Sequence, residues 1–133
     1  MNDSNNWQKP VPYSNDLLSL LNNIKKNIKE VSIDQVDDLI SNQSDNNFYL
    51  IDIRDQEEFD QVNIESSIHI SRGFLEFKIN SVVPDQKSQV ILYCGSGGRS
   101  AFAAESLERM GYSNVSSMAG GIKAWYESGK PVK

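Results

Sequence analysis

Apolar residues along this chain follow two rhythms, one recurring every three or four positions and one in short unbroken runs. The first rhythm predicts helices and the second predicts buried strands. Leu17, Leu20 or Leu21, Ile24 and Ile28 fall on one helical face, with Asn15 or Asp16 as the cap and Lys25, Lys26 and Lys29 near the C-terminal end. A stripe of this kind marks burial against the domain or a sister subunit more often than a partner-recognition helix. Glu30-Val31 suits a short strand, and Ser32-Ile33-Asp34-Gln35 has the form of a capping box opening a helix with Val36, Leu39 and Ile40 inside. Phe48 to Ile53 predicts a buried strand, Gln56 to Gln61 a short acidic helix, Ile68-His69-Ile70 a third strand, and Phe74 to Ile79 a helix. Val90 to Tyr93 predicts a central strand. Ala103, Leu107 and Met110 then mark a helix from Arg99 to Met110 that Gly111 stops. Asn114 to Met118 gives a last strand, and Gly120-Gly121 opens a final helix carrying Trp125 and Tyr126.

Strands alternating with helices through short links imply an α/β domain with a mainly parallel sheet flanked by helices. The expected organisation is an N-terminal arm and helix over residues 1–30 and the α/β domain over 31–133. Met1 to Ser14 reads as a polar arm and Ser41 to Asn47 as a polar loop. Ligands of such sheets sit beyond the carboxyl ends of the strands. The one cysteine of the chain, Cys94, lies at that end of the central strand, with Gly95, Gly97 and Gly98 just after it. Glycine permits positive φ and leaves the amides unshielded, so successive N–H groups can turn inward as an anion-binding nest at a helix start. That setting favours an anionic sulfur nucleophile. A core thiol needs neither the glycines nor a basic residue beside it, and Arg99 stands there.

The stretch Cys94-Gly95-Ser96-Gly97-Gly98-Arg99-Ser100 resembles the active-site loop of the rhodanese (thiosulfate sulfurtransferase) family: a cysteine, four residues and a basic residue. Leu50-Ile51-Asp52-Ile53-Arg54-Asp55-Gln56-Glu57-Glu58-Phe59 resembles that family's Asp-Val-Arg-x-x-x-Glu-Phe signature, and Gly120-Gly121-Ile122-Lys123-Ala124-Trp125 its Gly-Gly-x-x-x-Trp close. The three motifs arrive in the family's order between about Val31 and Val132. Val62-Asn63-Ile64-Glu65-Ser66-Ser67 departs from the family's Gly-His-Ile-Pro-Gly-Ala segment, which changes the turn there. The resemblance implies a rhodanese-like fold and a sulfurtransferase that carries sulfane sulfur as a Cys94 persulfide, without metal or organic cofactor. It implies a cradle of amides from Gly95, Ser96, Gly97, Gly98, Arg99 and Ser100, with hydroxyls of Ser96 and Ser100. Arg99 would balance the loop's charge or bind a donor's anionic end, and Arg72 is a second candidate for that anion. The expected partners are a small sulfur-containing anion such as thiosulfate, or a persulfide, and a sulfur-donor or acceptor protein.

Composition narrows this further. A chain of 133 residues is one domain with room for a core, and its net charge of −5 offers no basic stripe for nucleic acid. The global field repels an anionic substrate and is screened beyond about 8–10 Å, so local amides must attract it. One cysteine and one histidine exclude an internal disulfide, a cysteine-rich metal site and a histidine cluster. A lone thiol and the want of a leader or a long apolar run suggest a cytoplasmic, soluble protein with no membrane partner. The loop lacks the lysine of a phosphate-binding P-loop, the third glycine of a dinucleotide fingerprint and the first glycine of a hydrolase elbow, whose place Cys94 occupies.

The alternatives that stay open are a cysteine-dependent phosphatase or arsenate reductase, and a non-catalytic interaction module. Cysteine phosphatases use five residues between cysteine and arginine, where this chain has four, and interaction modules of the family usually lack the cysteine. His69 suits a polar strand end, Asp52 and Arg54 a structural ion pair, Gly120-Gly121 a close backbone approach, and Trp125 the core.

Overall fold

Residues 12–42 and 48–133 are described in the computed structural model, so the expected arm up to residue 11 and residues 43–47 of the expected loop lie outside it. The elements are α1 (Asn15–Asn27), β1 (Lys29–Val31), α2 (Ile33–Ser41), β2 (Phe48–Asp52), α3 (Gln56–Gln61), β3 (Ile68–His69), a 3-10 turn (Arg72–Phe74), α4 (Leu75–Val82), β4 (Gln89–Tyr93), α5 (Gly98–Met110), β5 (Val115–Met118) and α6 (Gly121–Glu127). The sheet runs β1-β5-β4-β2-β3, and every neighbouring pair is parallel.

β4 lies in the middle because its side chains are apolar in both directions. Val90 and Leu92 face a cluster with Ile51, Ile53, Leu75, Ile79, Ala103, Ala104 and Leu107. Ile91 and Tyr93 face the opposite cluster, with Val36, Leu50, Ile64, Met118, Ile122 and Trp125. Alternation across the pleat therefore places α4 and α5 on one face and α2 and α6 on the other, the arrangement a strand buried on both faces requires. α1 rides on α5 through Leu21, Ile24 and Ala101. Of the alternatives Leu20 and Leu21, the second is buried and the first is half-exposed.

Several boundaries differ from the sequence expectation. Ser14 caps α1 by accepting the Leu17 N–H at 3.1 Å, one residue before Asn15, because a hydroxyl there reaches the third amide onward. β1 begins at Lys29, so the first strand straddles the expected division at residue 30 and pairs with β5. The helix expected from Phe74 is entered through the 3-10 turn and runs on to Val82. In the unusual segment 62–67, Ile64 is buried and its N–H donates to Tyr93 Oη at 3.1 Å. The Ser67 hydroxyl donates to the Ile64 carbonyl at 2.6 Å, and Asn63 exchanges backbone bonds with Lys133. A different turn is thereby anchored by its own hydrogen bonds. No helix among the described residues is long and apolar enough to cross a membrane.

Candidate active site

β4 delivers Cys94 to the carboxyl edge of the sheet, where two helices begin. α5 starts at Gly98, one residue before the expected Arg99, behind Gly97 at φ +102°. A side chain at Gly97 would be strained by that φ, which favours glycine, and its Cβ would stand a tight 3.2 Å from the Gly120 nitrogen. α6 starts beside it. The Ile122 N–H donates to the Cys94 carbonyl at 2.9 Å and the Lys123 N–H to the Gly95 carbonyl at 3.0 Å. The first turn of α6 thus holds the outer peptide groups of the loop and leaves the inner amides for the sulfur.

Of the six amides expected from Gly95 to Ser100, two turn toward it. Gly97 N–H donates to Cys94 Sγ at 3.2 Å and Ser100 N–H donates at 3.4 Å. The Ser100 hydroxyl lies 3.5 Å from Sγ and 2.7 Å from the Ser117 hydroxyl. Ser117 can therefore donate to Ser100 while Ser100 turns its own hydrogen to an anionic sulfur. Cys94 is only 1 % exposed and also joins the apolar cluster beneath it. Burial alone would describe an inert core thiol; two N–H groups aimed at the sulfur add the donors that an anionic sulfur would need. Ser96 is exposed at the outer bend of the loop.

Arg99 points outward from the loop. Its Nη1 and Nη2 donate to the two Glu58 carboxylate oxygens at 3.1 and 3.3 Å, and Nη2 stands 3.3 Å from where a Cβ on Gly95 would be. Glu58 Oε1 also accepts the Asp55 N–H at 3.1 Å, so the carboxylate closes the start of α3 as well. Burial pushes the Glu58 carboxyl up, but the hydrogen bonds from Arg99 and Asp55 and the charges of Arg99 and Arg54 outweigh it and hold it below its usual range. The pair is therefore complete above the ordinary carboxylate range and is lost as acid titrates Glu58 through its depressed value. For Arg99, burial works against the charged form, while Glu58 and then Cys94 and Asp55 favour it and raise its pKa overall.

Arg72 shares this end of the sheet through its N–H, which donates to the Ile53 carbonyl at 3.0 Å. Its guanidinium turns to Glu76, 3.0 and 2.9 Å from the two oxygens, and Ser106 on α5 donates to the same carboxylate at 2.6 Å. Arg72 is thereby committed to the α4–α5 contact, whereas Arg99 and Glu58 meet at the loop. Sequence reasoning passed over Glu58 and Ser117 as site residues. The first could be found from the Asp55-x-x-Glu58 capping box and the second from Ser116-Ser117 interrupting a strand that is otherwise apolar. No group of three or more metal-ligating side chains occurs among the described residues.

Gly121 is the tightest point of the site. It has φ +61°, and a Cβ there would run into the carbonyls of Gly95 and Cys94, the second at 2.5 Å. Gly121→Ala is expected to cost about 2–3 kcal/mol in denaturant unfolding, from the left-handed backbone and the overlap with backbone that cannot rotate away. An unchanged denaturation midpoint would contradict the close packing of α6 on the loop.

A family model described as Rhodanese-like domain matches residues 32–128. A putative sulfurtransferase of Bacillus subtilis, YtwF, is 32% identical over 104 residues, covering 78% of this chain and 96% of that protein. The thiosulfate sulfurtransferase PspE of Escherichia coli is 37% identical over 73 residues, covering 55% of this chain and 69% of its own. The chain spans about half (51%) of a third relative, the putative sulfur carrier protein YrkF of B. subtilis, at 26% identity over 74% of this chain. Among solved structures, a Rhodopseudomonas palustris protein of unknown function, described as a possible tyrosine phosphatase, superposes with a TM-score of 0.81. It is 26% identical and the match covers 94% of this chain and 99% of that one.

Proposed function

Because this chain belongs to the rhodanese-like domain family, we propose that it is a sulfurtransferase whose working intermediate is a persulfide on Cys94. One observation carries the reading: the Gly97 and Ser100 N–H groups both point at the Cys94 sulfur. In the first step the thiolate attacks the outer sulfur of thiosulfate. A new S–S bond forms, the old one breaks, and sulfite leaves with the electron pair. Two negative charges leave on sulfite and one stays on the persulfide, so charge balances. In the second step cyanide, a thiolate or a protein cysteine takes the outer sulfur, and the Cys94 thiolate is restored. This is covalent catalysis in two displacements, and ping-pong kinetics are the signature.

The cradle contributes by meeting the anion in both forms. Each charge-assisted bond from Gly97, Ser100 or the Ser100 hydroxyl is worth about 1.5–3 kcal/mol. Similarity to a protein named a sulfur carrier supports a protein cysteine as the natural acceptor, and a reduced lone thiol supports a cytoplasmic setting.

Incubation with thiosulfate followed by intact mass spectrometry tests the reading. The expected result is a gain of one sulfur atom that cyanide removes as thiocyanate. A second reading, phosphate-ester hydrolysis, draws on the description of the R. palustris structure, but the four residues between Cys94 and Arg99 favour sulfur. Hydrolysis of aryl phosphates without sulfur uptake from thiosulfate or an alkyl persulfide would overturn the sulfurtransferase.

A further inference from the structure

We propose that Glu58 sets the donor preference of this site: by holding the Arg99 guanidinium in a two-point ion pair, it disfavours donors with an anionic far end and favours persulfides whose organic end is uncharged. The inference rests on the sulfurtransferase reading and adds the class of donor to it.

Arg99 is the one cation whose side chain belongs to the Cys94 loop. Its side chain is 46 % exposed, so a donor arriving from solvent can reach it. Each of its terminal nitrogens nevertheless donates one N–H to Glu58, which is itself fixed at the start of α3 by the Asp55 N–H. A carboxylate seated this way cancels the charge a sulfonate would seek. Thiosulfate carries its sulfane sulfur on a sulfonate, so that sulfonate must compete with Glu58 for Arg99. A persulfide needs the amide cradle for its terminal sulfur and makes no demand on Arg99. The surroundings strengthen the bias, because Asp55 lies next to the pair and its charge also acts on Arg99. Arg54 is a second cation whose charge acts on Glu58, and it is paired with Asp52 at 2.7 Å. The Arg72 guanidinium is held by Glu76 and does not replace Arg99.

Glu58→Gln tests this, since the amide keeps an oxygen for the Asp55 N–H and loses the charge. For a half-exposed ion pair the expected effect is a fall of about two- to fivefold in the thiosulfate KM, with kcat moving less. The KM for 2-hydroxyethyl persulfide should shift by less than about 1.5-fold, because that donor has no anionic far end. Glu57→Gln makes the same change of net charge at a neighbouring exposed residue and should leave the thiosulfate KM unmoved. A thiosulfate KM that is unchanged or raised in Glu58→Gln, or equal shifts for the two donors, would overturn the inference while sulfur loading of the wild type stands. Failure of the wild type to load sulfur from either donor would instead remove the sulfurtransferase reading and this inference with it.

Discussion

Cys94→Ser is expected to abolish sulfur transfer while leaving the protein folded. The hydroxyl is close in shape to the thiol, and it can accept from Gly97 and Ser100 as the sulfur does at 3.2 and 3.4 Å. It cannot form or hold a persulfide, because an oxygen nucleophile is barely ionised at neutral pH and an O–S bond is a poor carrier of sulfane sulfur. Loss of the nucleophile in a covalent mechanism removes more than about a thousandfold of the rate, and amides alone leave only a small residue. Thiocyanate formation followed in time, with mass spectrometry and circular dichroism on the same sample, separates chemistry from folding. Residual turnover above about one per cent of wild type would place the nucleophile elsewhere, and one cysteine leaves no thiol to substitute for it.

Asp52→Asn is the second large effect, and it acts on stability. Asp52 is fully buried and receives the Arg54 N–H at 2.9 Å, Nε at 3.0 and 3.2 Å and Nη2 at 2.7 Å. Arg54 is 4 % exposed, and its Nη2 also donates to the Val62 carbonyl at 2.6 Å. Burial works against its charge, and the hydrogen bond and charge of Asp52 more than restore it. Asn keeps the shape and removes the compensation, leaving a guanidinium inside the protein beside an amide. Breaking one partner of a buried pair costs about 3–5 kcal/mol, whereas replacing both by apolar residues costs far less. The expected fall in Tm is about 10–20 °C for a chain of this size. A shift below about 2 °C in differential scanning calorimetry would mean that the pair contributes little to holding the end of β2.

The same residues show how much a chain of this kind discloses before it folds. Three signals in the sequence are local and therefore readable. Val90 to Tyr93 is apolar on both faces, which specifies a central strand, and Asp52-Ile53-Arg54 puts opposite charges two apart, on one side of an extended backbone. The glycines after Cys94 likewise specify a loop, since Gly97 takes a φ that side chains avoid. Ser14 as the cap of α1 was missed because Ser14, Asn15 and Asp16 are all good caps in sequence, and only the path of the chain into the helix selects among them.

What the chain order alone determined, then, is the parallel α/β plan and the position of one thiol where a strand hands over to a helix, because strand periodicity and glycine conformation act over a few residues. Which groups meet that thiol was decided by the tertiary structure. Ser117 comes from β5 and Glu58 from α3, and the first turn of α6 grips the Cys94 and Gly95 carbonyls from nearly thirty residues away. Arg99 and Arg72 look alike in sequence as anion binders, but the packing of α3 and α4 gave each a different carboxylate. Such partnerships depend on how sheet register and helix packing bring distant segments together, and no local pattern encodes that distance.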